Sequence, residues 1–233
     1  MDFKEQSFIL KKILDLKHEP VAISFTNNEL KTVQQKIAIC RAIKLASQGE
    51  IIIIDKEAST CPGGSMYCGF SEPVTGEKKK RLQWFLTEGE KLFNSLVTFE
   101  RMRKLTSPIP TGLADYLVMS PLEKATHMPD LIIFLCNPEQ ACRLIMLDTF
   151  FDGIPPKQEV IGALCHTTIS YSVVTGFTNI SMGDWTARRN QRFESDILFF
   201  TLPYERIENL IKAIPKCSAG EAALVIPEEF QHD

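Results

Sequence analysis

No stretch of this 233-residue chain approaches the roughly 20 consecutive apolar residues that a membrane-spanning helix needs, which argues against such a helix. The opening residues, MDFKEQSFILKK, also lack the basic leader, apolar core and small-residue cleavage site of a secretory signal, so the expectation is a cytoplasmic protein without membrane contact. There is no Walker loop, no GxGxxG, no HExxH and no GxSxG elbow, so phosphate-loop, dinucleotide, zincin and α/β-hydrolase chemistry lose their sequence support. Seven cysteines occur without one CxxC pair, which argues against zinc ribbons and ferredoxin runs. An odd number of thiols without a secretory leader also argues against a disulfide framework. The net charge of −3 shows no basic excess, so nucleic acid is not an expected partner. None of the four histidines has metal-ligand spacing; all but His166 read as structural.

What the chain does hold is a weak copy of itself. PVAISFTNN at 20–28 matches PDLIIFLCN at 129–137, with Phe25 opposite Phe134 and Asn28 opposite Asn137. CRAIKLA from Cys40 matches CRLIMLD from Cys142, and CPGGSMYCGF from Cys61 matches CHTTISYSVVTGF from Cys165. DYLVMSPLEKA from Asp115 then resembles DILFFTLPYERI from Asp196. The pattern predicts two halves, residues 1–127 and 128–233, related by a pseudo-two-fold within one compact unit. An apolar fraction of 44% and a charged fraction of 24% are those of an ordinary globular protein.

Periodicity supplies the elements. Residues 3–16 form an amphipathic helix stopped at Pro20, and VAISF follows as a strand. Residues 31–50 read as a helix with Val33, Ile37, Cys40 or Arg41, and Leu45 on one face, ended by Gly49. IIIID at 51–55 reads as a strand buried on both faces. Strand, helix, strand is a crossover signature. The second half repeats it as DLIIFLC, a helix starting at Pro138, and EVIGAL as strand; in each half the second cysteine precedes a further helix. Residues 78–105 read as one long helix across Gly89, TSPIPTG at 106–112 as a loop, YERIENLIKAI as the last helix, and PEEFQHD as a fraying tail. The fold class is therefore α/β (or α+β), with duplicated βαβ-containing halves forming a mixed sheet or two sheets with flanking helices.

Chemistry concentrates in two places. In STCPGGSMYCGF, Cys61 falls at a helix start, Pro62 suits the first helical position, and Gly63 and Gly64 permit close backbone approach. Unpaired N–H groups there favour an anion or a thiolate, making Cys61 the candidate reactive thiol, with a plain tight turn as the alternative. Cys165 would face it from the other half. Thiolates from Cys40, Cys61, Cys142 and Cys165 are the candidate ligands for an iron–sulfur cluster or another thiophilic metal, although helix position favours core packing for Cys40 and Cys142. In SMGDWTARRNQR, Trp185 offers a stacking face, and Arg188, Arg189 and Arg192 offer forks suited to a carboxylate or phosphate, or else a solvated basic turn.

PVAISF, CRAIKLASQGE, CPGGSMYCGF, PTGLADYLVMSPLEKA, MPDLIIFLCNPEQACRL and ISMGDWTARR, in this order, resemble the DUF169 family of prokaryotic proteins over residues 8–214. The most specific pieces are Cys40, Cys61 with Gly63 and Gly64, Pro121-Leu122, Cys165, and Ser181, Gly183 and Arg188. The resemblance implies a cysteine in many members where this chain has Asp184, and it implies no reaction. The leading expectation is a small anionic ligand or cofactor bound between the halves by Cys61, Gly63, Gly64, Cys165, Trp185 and Arg188. The rivals are a cysteine-dependent redox or metal protein, and an oligomer-forming module without catalysis. A homo-oligomer is compatible with all three.

Overall fold

A computed structural model describes residues 1–30 and 36–230. Val33, placed by periodicity on the second helix, and His232 with the end of the tail lie outside the described residues.

Helix α1 (Phe3–Leu14) starts on Asp2, whose carboxylate accepts the Glu5 N–H at 2.8 Å. Strand β1 (Val21–Thr26) leads to α2 (Ile39–Ser47) and β2 (Ile52–Asp55). Short helix α3 (Pro62–Tyr67) follows. The expected long helix is instead broken: α4 (Gly76–Trp84) runs into a π-helical turn at Phe85–Gly89, and α5 (Leu96–Arg103) restarts after it. No residue of α4 is buried, so packing does not hold the two pieces in line. Strand β3 (Tyr116–Pro121) ends the first half.

The second half opens with β4 (Leu131–Cys136) and α6 (Pro138–Thr149). Helix α6 begins on a capping box in which Asn137 and Gln140 each accept the other's backbone N–H at 2.9 Å. EVIGAL is not a strand. The chain there is irregular and becomes helical at Leu164, passing through a π-helical turn at His166–Ser170 into α7 (Tyr171–Thr175). The second strand of this half is β5 (Asn179–Ser181), followed by α8 (Trp185–Gln191), β6 (Leu198–Pro203) and α9 (Ile207–Ala213).

Six strands make one sheet in the order β2-β3-β1-β4-β6-β5, and every pairing is antiparallel. The α/β class is as expected, but the crossovers are split. Strands β1 and β2 run the same way with β3 between them, as β4 and β5 do with β6 between them. An inserted strand converts a parallel neighbour relation into two antiparallel ones, which the apolar pattern cannot reveal. Strand β2 is consequently an edge, and only Ile54 of it is buried.

Alternation along the strands makes two cores. Val21, Ile23, Leu117, Met119, Leu131, Ile133 and Phe199 face α2, α3 and the helix from Leu164. Ala22, Ile132, Phe134, Phe200 and Leu202 face α1, α6 and α9. Strands β1 and β4 meet at the centre with Ala22 opposite Ile132. Val21 lies opposite Pro121 and Leu131 lies opposite Pro203, so laying the two strand pairs on their prolines sets Val21 on Leu131. That is one residue off the sequence match of Phe25 with Phe134. A one-residue slip exchanges the faces, and burial, not letter identity, fixes the register.

Candidate functional site

The first core is where the cysteines gather. Cys61 caps α3: its Sγ accepts the Gly64 N–H at 3.5 Å, and Pro62 takes the first helical position as expected. Gly64 is required there, because a Cβ would lie 2.7 Å from Cγ1 of Ile39, the residue before Cys40 on α2. Gly63 meets no such limit; a Cβ on it would stand 3.9 Å from the Cys61 sulfur. The loop before Cys61 is tied to the start of α2 by hydrogen bonds from Ile37 N–H to the Ala58 carbonyl and from Thr60 N–H to the Ile37 carbonyl.

Cys165 lies in the first turn of the helix that begins at Leu164, and the carboxylate of Asp184 binds that start. Its Oδ2 accepts the Leu164 N–H at 2.6 Å while Oδ1 accepts the Ala187 N–H at 2.8 Å, so one side chain caps two helices. Gly183, with φ of +70°, brings the two together; a Cβ on it would come 2.5 Å from Leu164 Cδ1. Helices α2, α3, α8 and the Leu164 helix thus converge over one face of the sheet.

Burial is the first cause of the shifts on these thiols. Burial pushes Cys40 up to about 11, helped by negative charge on Cys61 and Asp184. Burial also raises Cys68, with Cys61 as the second cause. Cys165 rises through burial and then through Cys68, Cys61, Asp184 and Cys40. These three are neutral thiols at neutral pH, whereas Cys61 is exposed to water. Among the described residues, no three cysteine, histidine or carboxylate side chains already stand in a metal-holding arrangement.

Other candidates fall elsewhere. Cys142 is exposed on α6, whose buried residues belong to the second core, so the sheet separates it from Cys61. Arg188 spends its guanidinium on the carbonyls of Met182, Ile197, Glu194 and Ser195 at 2.6–3.1 Å, stapling the chain around α8. Arg189 pairs with Glu90 at 2.7 Å, and Trp185 is 65% exposed. The basic trio therefore does not face a common ligand. His166 is fully buried and fully bonded: Nδ1 donates to the Ile161 carbonyl at 2.7 Å and Nε2 accepts the Ser107 N–H at 3.0 Å. It pins the 106–112 loop, which Tyr67 also holds through Thr106.

Two members were not singled out in the sequence. Cys68 stands seven residues after Cys61, close to two helical turns, a spacing that puts both on one side of α3. Asp184, immediately before a helix, carries an N-cap signature.

No curated protein and no solved structure matches the chain. A family model does, over residues 9–213, a span that includes Cys40, Cys61, Cys68, Cys165, Gly64, Gly183 and Asp184. The chain belongs to that family, DUF169, described as uncharacterised ArCR.

Proposed function

We propose that the protein works through cysteine chemistry in the seam between its halves, binding a thiophilic ligand with Cys61 as the thiol open to water. The observation that supports this reading is the gathering of Cys40, Cys61 and Cys68 from residues 1–127 with Cys165 from residues 128–233 around the first core, Cys61 exposed, Cys40 half-buried, Cys68 and Cys165 buried. A buried thiol is a poor nucleophile while protonated, but a soft ligand displaces the proton and relieves the repulsion among neighbouring thiolates. The rival reading, an anion held by Arg188, lacks its donor, since that guanidinium already serves four carbonyls.

Thiol titration tests this in a Cys142→Ser background, which removes the other exposed cysteine. One cysteine is expected to react in the native protein, and equimolar Zn²⁺ or Cd²⁺ under anaerobic conditions is expected to slow that reaction. If Cys61 reacts at the same rate with and without every soft ion tried, the proposal fails.

A further inference from the structure

The sheet is closed at one edge and open at the other. Outside β5 runs the segment from Lys157 to Glu159: Lys157 N–H donates to the Thr178 carbonyl at 2.8 Å, Ile180 N–H donates to the Lys157 carbonyl at 2.9 Å, and Glu159 N–H donates to the Asn179 side chain at 2.8 Å. In the first half the parallel bridge joins Ile37 to Ser59, past the end of β2, and leaves the strand itself uncovered. Among the described residues no segment pairs with the outer side of β2. Proteins blunt such an edge with proline, a bulge or lysines on the strand. This one reads Ile51-Ile52-Ile53-Ile54 and leaves Ile51 51% exposed.

The phase of the hydrogen bonds tells which backbone groups are on offer. Leu122 N–H donates to the Pro20 carbonyl at 2.8 Å, so even-numbered residues of β3 turn their backbone groups to β1 and odd-numbered ones to β2. Met119 and Leu117 stand opposite Ile52 and Ile54, so these two isoleucines bond inwards, whereas Ile51, Ile53 and Asp55 turn their N–H and C=O outwards. We propose that this edge takes a second copy of the same chain, the two β2 strands pairing antiparallel about a two-fold axis at Ile53. In that register Ile53 exchanges both backbone bonds with its own counterpart. At each end Asp55 gives its N–H to the Ile51 carbonyl of the other copy, its own carbonyl already accepting the Ser59 N–H at 3.2 Å. On the first-core face, where Ile54 is buried and Ile52 packs beside it, Ile52 of each copy lies opposite Ile54 of the other. Glu50 of each copy then lies opposite Lys56 of the other. Both are exposed, and neither forms an ion pair among the described residues. Moving the axis to Ile52 or Ile54 sets Glu50 or Lys56 against an isoleucine, so charge selects the central register. The product is one continuous sheet through both copies with its two open edges closed. The paired strands are only four residues long and cover little area, so the dimer forms in a concentration-dependent way.

Sedimentation velocity of the full chain under reducing conditions, over a concentration series reaching about 1 mM, tests this. Wild type is expected to pass from monomer to dimer and no further. Ile53→Pro removes the central N–H, which β3 does not use, and is expected to raise the dissociation constant at least about tenfold with an unchanged circular dichroism spectrum. Glu50→Lys and Lys56→Glu are surface changes that place like charges opposite each other, and each is expected to weaken the dimer. The double variant Glu50→Lys with Lys56→Glu restores opposite charges and is expected to recover wild-type association. A wild type that stays monomeric throughout overturns the proposal, as does assembly that continues beyond the dimer. A dimer indifferent to Ile53→Pro shows that another surface makes it, and a charge swap that fails to restore association refutes the register.

Discussion

Replacing Asp184 by alanine tests the double cap directly. The wild-type carboxylate accepts two backbone N–H groups, from Ala187 at the start of α8 and from Leu164 at the start of the Cys165 helix. Loss of an ordinary N-cap costs about 1 kcal/mol. The Leu164 N–H belongs to a residue only 1% exposed, and stranding a buried donor adds about 1–3 kcal/mol. The expected total is about 2–4 kcal/mol. Asp2→Ala is the control, because Asp2 caps α1 alone, on the surface, and should cost about 0.5–1 kcal/mol. With an m value of about 2 kcal/mol per molar urea, the chelated apoprotein should lose about 1–2 M in unfolding midpoint with Asp184→Ala and about 0.5 M or less with Asp2→Ala. Asp184→Asn keeps one acceptor oxygen and should fall between them. Equal midpoints for Asp184→Ala and Asp2→Ala at unchanged m would refute the bridging role.

Three further outcomes follow from the same geometry. Gly64→Ala should destabilise by about 1–3 kcal/mol through collision with Ile39, while Gly63→Ala should be neutral or stabilise by up to about 1 kcal/mol, both read by thermal or urea unfolding. Burial lowers the pKa of His166, against an opposing hydrogen bond that its ring donates to the Ile161 carbonyl; the unfolded chain therefore binds the proton more readily. Stability is then complete above about pH 6.5 and declines as pH falls from there towards the lowered folded value, and His166→Gln should reduce that slope, with His18, also lowered by burial, supplying the remainder. Arg188→Gln should cost about 2–4 kcal/mol from several carbonyls left unpaired, measured as a lower urea midpoint.

The central strands were legible because apolar runs such as LIIFLC admit few other readings, and α6 announced itself through Asn137, Pro138 and Gln140. Strand β5 was not, since Asn179 and Ser181 are polar residues whose side chains are satisfied inside the core by Glu159 and Thr167. The helix after Cys165 was foreseen only as a follower of the cysteine. Residues His166–Ser170 are all buried although four of the five are polar, so polarity there marks no solvent face for a period to show. CRLIMLD copies the letters of CRAIKLA, yet α6 packs in the second core and α2 in the first, so likeness of letters did not reveal the face of the sheet each helix covers. Asp184 entered the sequence reading only as a departure from the family.

The strand order also sets a timetable for the nascent chain. Strands β1, β2 and β3 have all been made once residue 121 is added, and none of them needs a later strand to pair with the others. The inner side of β1 then waits for β4, which is complete at Cys136, about one second later at cellular rates of roughly 5–20 residues per second. During that interval the half-built sheet presents an unpaired, almost wholly apolar strand to whatever is nearby, including the same strand on a neighbouring ribosome. Prompt arrival of β4 is what converts that adhesive edge into the middle of the molecule.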